Sequence, residues 1–297
     1  MVPDVVREKA LLRPGGERWL DELPDNLDRL AARWSLRIGP ALQGGTESYV
    51  CAATTSEGVD VVLKLELPGD PSFAARMRVL RGANGRGYAQ LLEFDEQRRA
   101  VLLERLGAPL NASRLPARTQ IEILCGVLRE AWEAPVDDAL DTGADKARRL
   151  SEFIATTWED LGRPCSERVV EQALAFAERR GRAHHRETSV VLHGDAHGNN
   201  ALATSDGYRF VDPESFLGEP AYDLAISMRE WSEELLAGDV VELGRSRCAL
   251  LADLGGADSE AIWEWGFVER VSTGLFCLQV GAESMGVPVL AVAERWV

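Results

Sequence analysis

Cysteine is scarce and unpatterned in this 297-residue chain: its five positions, 51, 125, 165, 248 and 277, are odd in number, widely spaced and form no CxxC pair. That argues against a disulfide framework or a zinc ribbon and suits a reducing cytoplasm. No apolar run reaches the roughly 18 residues that a membrane span requires. The N-terminal MVPDVVREKALLRPGGERWL also lacks the charged-then-apolar pattern of a secretory signal. The expectation is a cytoplasmic protein with no membrane association. Basic residues are few against acids, 33 Lys and Arg to 48 Asp and Glu, for a formal net charge of −15. Such a surface repels a phosphate backbone, so nucleic acid is not an expected partner. The charge then means solubility or a cationic small ligand. Internal repeats and low-complexity tracts are missing too.

What is present is apolar mass, 45% hydrophobic residues, enough to bury a sizeable core as one large domain or two lobes. In the first third, Pro24-Asp25 opens a helical face of Leu27, Leu30, Ala31 and Trp34. LRIGPALQGGTESYVCAATT then reads as strands around a glycine pair, and Ser56-Glu57-Gly58 as a hairpin turn. VDVVLKLEL follows as a β-branched strand with a lone Lys64 in its apolar middle. Pro71 opens a helix to about Arg81, and YAQLLEFDEQRRAVLLERL gives two more strands around Asp95-Glu96-Gln97. Gly107-Ala108-Pro109 marks a hinge.

Beyond the hinge, residues 117–134, 144–161 and 166–183 carry apolar positions at three- and four-residue steps, the mark of amphipathic helices. SVVLH and YRFVD read as two short strands, with Ser205-Asp206-Gly207 as a tight reversal before the second. Helices return after Pro220, including a long one around 258–285. The expected fold is α+β and bilobal. Residues 1–106 form a small antiparallel-sheet lobe with one crossing helix, and residues 107–297 form a larger, mainly helical lobe.

Residues 190–202 read VVLHGDAHGNNAL, more polar and flexible chemistry than a chain reversal needs. The H-x-x-x-H of His193 and His197 admits a zinc reading, but Gly194 and Gly198 disfavour a helix there. No third ligand is evident, and the glutamate of HExxH is missing. Hydrogen-bonded rings that stiffen the loop account for the histidines better.

Residues 193–200, His-Gly-Asp-Ala-His-Gly-Asn-Asn, resemble the HGDxHxxN catalytic loop of the aminoglycoside phosphotransferase family, which has a protein-kinase-like fold. FVDPESFLGEPAYDLA, residues 210–225, resembles that family's metal-binding strand and following signature. VVLKLE and LLERL extend the resemblance to about Leu42–Trp231, and the details lean toward the streptomycin and hydroxyurea phosphotransferase branch. The resemblance implies an ATP-dependent O-phosphotransferase for a small-molecule hydroxyl, with an aminoglycoside-type antibiotic such as streptomycin foremost and another small metabolite as the alternative.

The same resemblance distributes the roles. Lys64 would place a point charge on the α- and β-phosphates. Gly44, Gly45 and Ser48 belong to the loop that covers the ATP phosphates with backbone N–H groups. Glu104 and Leu106 bound the hinge backbone that meets adenine. Asp195 would accept the acceptor hydroxyl's hydrogen bond and take its proton. Asn200 and Asp212 would hold Mg²⁺ as hard oxygen ligands, with a hairpin returning Asp212 beside Asn200. His193 falls at a structural position, and Asp223 would brace the loop. The implied partner is a hydroxylated small molecule, with the acidic surface favouring a cationic one, and the implied state is a monomer or weak homodimer.

Three departures from the family pattern stand out. The crossing-helix stretch PSFAARMRVLRG contains no acid, so Arg76 or Met77 occupies the place where kinases carry the Glu partner of the strand lysine. Lys64 would then be oriented by Glu66, by Asp212 or by the phosphates, or the chain is a catalytically weak or inactive nucleotide-binding relative. Ala196 and Asn199 replace the loop's more usual Leu and Gly. Acid clusters at Asp137-Asp138, Glu159-Asp160, Glu230, Glu233-Glu234, Glu264 and Glu269 would attract a cationic acceptor, although most of them read as solvated helix faces.

Overall fold

The computed structural model describes residues 2–42 and 47–297, so Gly44 and Gly45 of the expected phosphate loop lie outside the described residues. The chain divides into two compact units, Met1–Gly107 and Ala108–Val297.

Unit 1 runs α1 (Asp4–Leu11), α2 (Gly16–Arg33), β1 (Leu36–Ala41), β2 (Ser48–Thr55), β3 (Asp60–Glu66), α3 (Phe73–Ala83), β4 (Leu91–Asp95) and β5 (Ala100–Glu104). The five strands form an antiparallel sheet in the order β1-β2-β3-β5-β4. Gly58, at φ +84°, makes the turn between β2 and β3. Strand alternation then sorts β3 onto two faces. Val61, Leu63 and Leu65 are fully buried and pack against Leu23 and Leu30 of α2. Val62, Lys64 and Glu66 therefore share the other face.

Two helix readings need correction. Pro24 does not open α2 but sits within it, because the helix begins at Gly16. An interior proline costs a helix about 3 kcal/mol. Leu23 and Leu30, each worth about 1.5–3 kcal/mol when buried, and the partly buried Trp19 and Leu27 fasten both halves of α2 to the sheet and outweigh that cost. Helix α1 was not legible in the sequence. It buries only Val6 and Ala10, against Leu67.

Unit 2 begins with α4 (Ala117–Ala131), α5 (Gly143–Asp160) and α6 (Glu167–Arg182), as the periodicity predicts. Thr142 and Asp145 close a reciprocal capping box at the start of α5. Four three-residue strands follow: β6 (Val190–Leu192), β7 (Ala201–Ala203), β8 (Tyr208–Phe210) and β9 (Phe216–Gly218). β6 pairs with β9, and β7 with β8. The sequence reading found two of the four, since three residues are too few for alternation to register.

The chain then runs through α7 (Ala221–Ile226), a 3₁₀ turn (Ser227–Arg229), α8 (Ser232–Leu236), α9 (Val240–Gly255), α10 (Ser259–Gln279) and α11 (Glu283–Trp296). The single helix expected near 258–285 is thus two, parted where Gly281 takes φ +76°. Helix α10 is buried on nearly all sides, which makes it the axis of the unit. No helix among the described residues is long and apolar enough to cross a membrane, and all five cysteines are free.

Candidate active site

In unit 2, β6 delivers the chain to His193 and a turn at Gly194, whose φ of +87° favours glycine. A Cβ at Gly194 would lie 2.9 Å from both Glu214 and Phe216 side chains, so no larger residue fits. Asp223 in α7 is completely buried and receives this turn. Its Oδ2 accepts the His193 N–H and its Oδ1 the Gly194 N–H, each at 2.8 Å, while the Trp132 indole donates to Oδ2 at 2.9 Å. Those are buried groups that would otherwise be unsatisfied.

The His193 imidazole is equally committed. The Asp195 N–H donates to its Nδ1 at 3.1 Å, its Nε2 meets the Val211 carbonyl at 3.0 Å, and its ring tilts against Phe210 at 4.7 Å. Burial pushes its pKa below the ordinary range. A neutral ring protonated on Nε2 satisfies both bonds, so His193 is a structural pin.

Asp195 emerges from this frame with its side chain 32% exposed. Its Oδ2 lies 3.2 Å from His197 Nε2 and 3.2 Å from Asn200 Nδ2, and Oδ1 accepts from Arg229 Nη2. Burial pushes the carboxyl up, but the His197 hydrogen bond and the Arg229 charge outweigh it and hold Asp195 well below the usual carboxylate range. It is a carboxylate with little basicity.

Asn200 spends its Nδ2 on Asp195, whose main-chain oxygen it reaches at 2.9 Å. No hydrogen bond to its Oδ1 occurs among the described residues. The Val211 N–H donates to the Asn200 carbonyl at 2.9 Å, continuing the β7–β8 pairing, so Asp212 follows directly after the residue opposite Asn200. Asp212 itself sits at φ +57°, a left-handed conformation uncommon outside glycine and characteristic of functional sites.

In unit 1, Lys64 Nζ lies 3.6 Å from Glu66 Oε1, with both side chains largely buried. Glu66 is shared. Arg76 of α3 reaches it through both terminal nitrogens, at 2.5 and 3.2 Å, and Arg99 Nη2 at 3.3 Å. Arg76 also donates to Asp70 at 2.7 Å. Burial pushes the Glu66 carboxyl up, but the charges of Lys64, Arg76 and Arg99 bring it below its ordinary value. An acidic partner of the lysine therefore stands on its own strand, two residues on and on the same face. The crossing helix supplies a guanidinium in place of the acid.

Ser48 opens β2 opposite Glu66 and is 2% exposed, which places it on the Lys64 face. Glu104 ends β5. Its N–H donates to the Gln90 carbonyl at 3.1 Å, and its Oε1 accepts the Gln90 N–H at 2.7 Å. Leu106 makes no backbone hydrogen bond among the described residues. A crevice of about 310 Å³, lined in part by Ile38, Ala52, Val61 and Arg105, adjoins this end of the sheet.

The structure thus gathers Asp195, Asn200 and the β8 end at Asp212 in unit 2, and Lys64 and Ser48 around Glu66 in unit 1. Sequence reasoning missed Arg229 and Lys146, and gave Glu269 only as one of the acids that would attract a cationic acceptor. Arg229 Nη1 donates to Glu269 Oε2 at 2.9 Å, and Lys146 Nζ to Glu214 Oε2 at 2.6 Å. The acid clusters also need correction. Glu264 and Glu269 are not solvated faces but are 0% and 4% exposed, paired with Arg179 and Arg180 and with Arg229 respectively. Asp138, Glu159 and Glu234 are engaged by Arg186, Arg163 and Arg247.

Against known proteins, the model of the aminoglycoside/hydroxyurea antibiotic resistance kinases matches residues 33–281. A streptomycin 6-kinase of Streptomyces glaucescens is 30% identical over 94% of this chain and 91% of its own length. A hydroxyurea phosphotransferase of Kitasatospora aureofaciens is 29% identical over 84% of this chain and 75% of its own. Among solved structures, a thermostable mutant of an aminoglycoside phosphotransferase, in ternary complex with ADP and hygromycin B, shares the fold. Its TM-score is 0.58 at 16% identity, covering 90% of this chain and 97% of that one.

Proposed function

The chain belongs to the aminoglycoside/hydroxyurea antibiotic resistance kinase family, and from that premise we propose that it transfers the terminal phosphoryl group of ATP to a hydroxyl of a small cationic antibiotic of the streptomycin type. Relatives named for streptomycin 6-kinase and hydroxyurea phosphotransferase activity support the reaction class. The net charge of −15 favours the cationic acceptor of the former.

Asp195 meets the acceptor. Its carboxylate accepts the hydroxyl's hydrogen bond and aims the oxygen at the terminal phosphorus. A new P–O bond forms there as the bond to the β,γ-bridging oxygen breaks, and the electron pair leaves on ADP. The hydroxyl proton passes to Asp195. Phosphoryl transfer runs through a loose transition state in which the nucleophile needs aiming more than deprotonating. A carboxylate held in place with depressed basicity suits that requirement.

Lys64, steadied by Glu66, neutralises the α- and β-phosphates. Ser48, with Gly44 and Gly45, belongs to the segment covering them, and the Glu104 carbonyl and Leu106 N–H meet the adenine edge. Asn200 and Asp212 fit Mg²⁺: an amide oxygen with no hydrogen-bond donor among the described residues and a carboxylate are hard donors, few enough to leave positions for phosphates and water. When bound, the ion's charge offsets that of the β- and γ-phosphate oxygens.

The observation carrying this reading is the Asp195 carboxylate, held at both oxygens in a loop braced by Asp223. The acid-free crossing helix motivates the alternative of a catalytically silent relative, and Glu66 beside Lys64 supports the active reading over it. The test is ADP release with streptomycin, other aminoglycosides, hydroxyurea and simple sugars. Turnover with streptomycin is expected. No turnover with any acceptor, in a protein whose melting temperature MgATP still raises, overturns the reading.

A further inference from the structure

The side chains of Glu269 and Arg270, consecutive in α10, grip the segment that follows α7, the first at the Arg229 side chain and the second at the Met228 carbonyl and the Ser232 hydroxyl. The buried Arg270 donates through Nη2 to the Met228 carbonyl and through Nη1 to Ser232 Oγ at 2.8 Å, fixing the 3₁₀ turn on both sides of Arg229. Gly266 lets that turn approach, since a Cβ there would lie 2.5 Å from the Met228 Cβ. The buried Glu269 takes the Arg229 side chain: Oε2 accepts from Nη1 at 2.9 Å while Oε1 accepts the Tyr222 hydroxyl. Both Glu269 oxygens are thereby used, and Tyr222 is itself buried. Arg229 is left one direction in which to point its other terminal nitrogen, and it ends on Asp195 Oδ1. Its Nε lies 3.7 Å from Glu230 Oε1.

A salt bridge that only stitched α10 to the loop would need no such construction, because the cost of burying ions makes such a pair a weak stabiliser. The construction is directional. A guanidinium is planar, and a planar fork fixed at Glu269 by one nitrogen has its second nitrogen set in angle as well as distance. The consequence falls on the one side chain that meets the acceptor. Among the described residues His197 and Asn200 approach Oδ2 and Arg229 donates to Oδ1, so the guanidinium holds the second oxygen against rotation about the Cβ–Cγ bond.

We propose that Arg229, held by Glu269 and Tyr222, is a positioning residue for phosphoryl transfer: it sets the plane of the Asp195 carboxylate and so the line along which the acceptor oxygen is presented. The inference rests on the phosphotransferase reading above. Arg229 acts on the step after binding. It acts through Asp195, and its loss lowers kcat while leaving the KM for ATP in place.

The experiment compares R229A, R229K and E269Q with the wild type, each kept below its own melting temperature, with kcat and both KM values measured for ATP and streptomycin. R229A is expected to lose about a hundred-fold in kcat, the scale of an ångström-level misplacement, with an unchanged KM for ATP. Guanidinium chloride at sub-denaturing concentration restores about ten-fold of that loss, whereas equal ammonium chloride does not, because only the planar ion rebuilds the fork. R229K, a point charge without the fork, recovers part of the rate. E269Q keeps the shape, loses the anchoring charge and slows kcat several-fold, which serves as the test should R229A not fold.

The inference is overturned if R229A or E269Q changes only the melting temperature, or if the lost rate returns with neither guanidinium nor lysine. A wild type that turns over beside an unaffected R229A defeats this inference alone. A wild type with no turnover defeats the reading beneath it.

Discussion

In unit 1 a cation is set by an acid, and in unit 2 an acid is set by a cation. Lys64 leans on Glu66 at 3.6 Å, but that carboxylate is shared with Arg76 and Arg99, so the lysine holds only part of it. A long flexible side chain with a partly committed partner keeps charge available for phosphates. Asp195 is the reverse, short, gripped at both oxygens and standing on a turn whose N–H groups are spent on Asp223. The first arrangement lets a charge adapt to a ligand. The second denies an atom freedom where direction matters, as transfer in line requires. The acid-free crossing helix fits this arrangement: an acid beside Lys64 stands on its own strand, and α3 supplies Arg76 to that same carboxylate.

The largest break in the comparison is to remove the gripped acid. D195A is expected to cost about 10² to 10⁴ in turnover, with MgATP binding by calorimetry nearly unchanged; loss of nucleotide affinity in step with rate would place the residue in the wrong role. Next comes the shared acid. E66Q removes the charge on which Lys64 leans and is expected to raise the KM for ATP about ten-fold, or about 1.4 kcal/mol, with the acceptor's KM unmoved. An unchanged KM for ATP would mean that Lys64 is set by something other than Glu66.

The same variant sharpens the comparison in pH. The Glu66 carboxyl is held below its ordinary value in the fold, so the stability it contributes is present above the unfolded carboxyl's pKa, about 4.3, and is lost as pH falls through the folded value. Chemical denaturation of wild type should weaken below about pH 4.3 more steeply than that of E66Q, and parallel curves would contradict the shift. The smallest effect lies away from both centres. T142A opens the α5 capping box and should cost about 1 kcal/mol in an unfolding titration, with kcat unaltered.

Much of this was legible in the chain because its signals are local. Gly58, the β-branched run around Lys64 and the periodic segments of α4 to α6 fix elements from neighbours in sequence. The HGDAHGNN loop carries Asp195 and Asn200 within six residues, with Asp212 one hairpin away. What escaped was set by distant partners. Arg229 and Glu269 are 40 positions apart and meet only because α10 runs through the middle of the unit. Arg76 read as a missing acid because its carboxylate partner stands on the strand beneath the helix; Glu66 was legible as one of three groups that could orient Lys64, but its sharing with Arg76 and Arg99 was not. Glu264 and Glu269 looked like solvent-facing acids because their arginine partners lie on other helices.

The most direct measurement is mass spectrometry of streptomycin incubated with ATP, Mg²⁺ and either the wild type or D195A. The account predicts that the wild type adds one phosphoryl group to the antibiotic with matching ADP, and that D195A, folded and still binding nucleotide, adds almost none. A phosphorylated product formed equally fast by D195A, or none formed by a nucleotide-bound wild type, would contradict it.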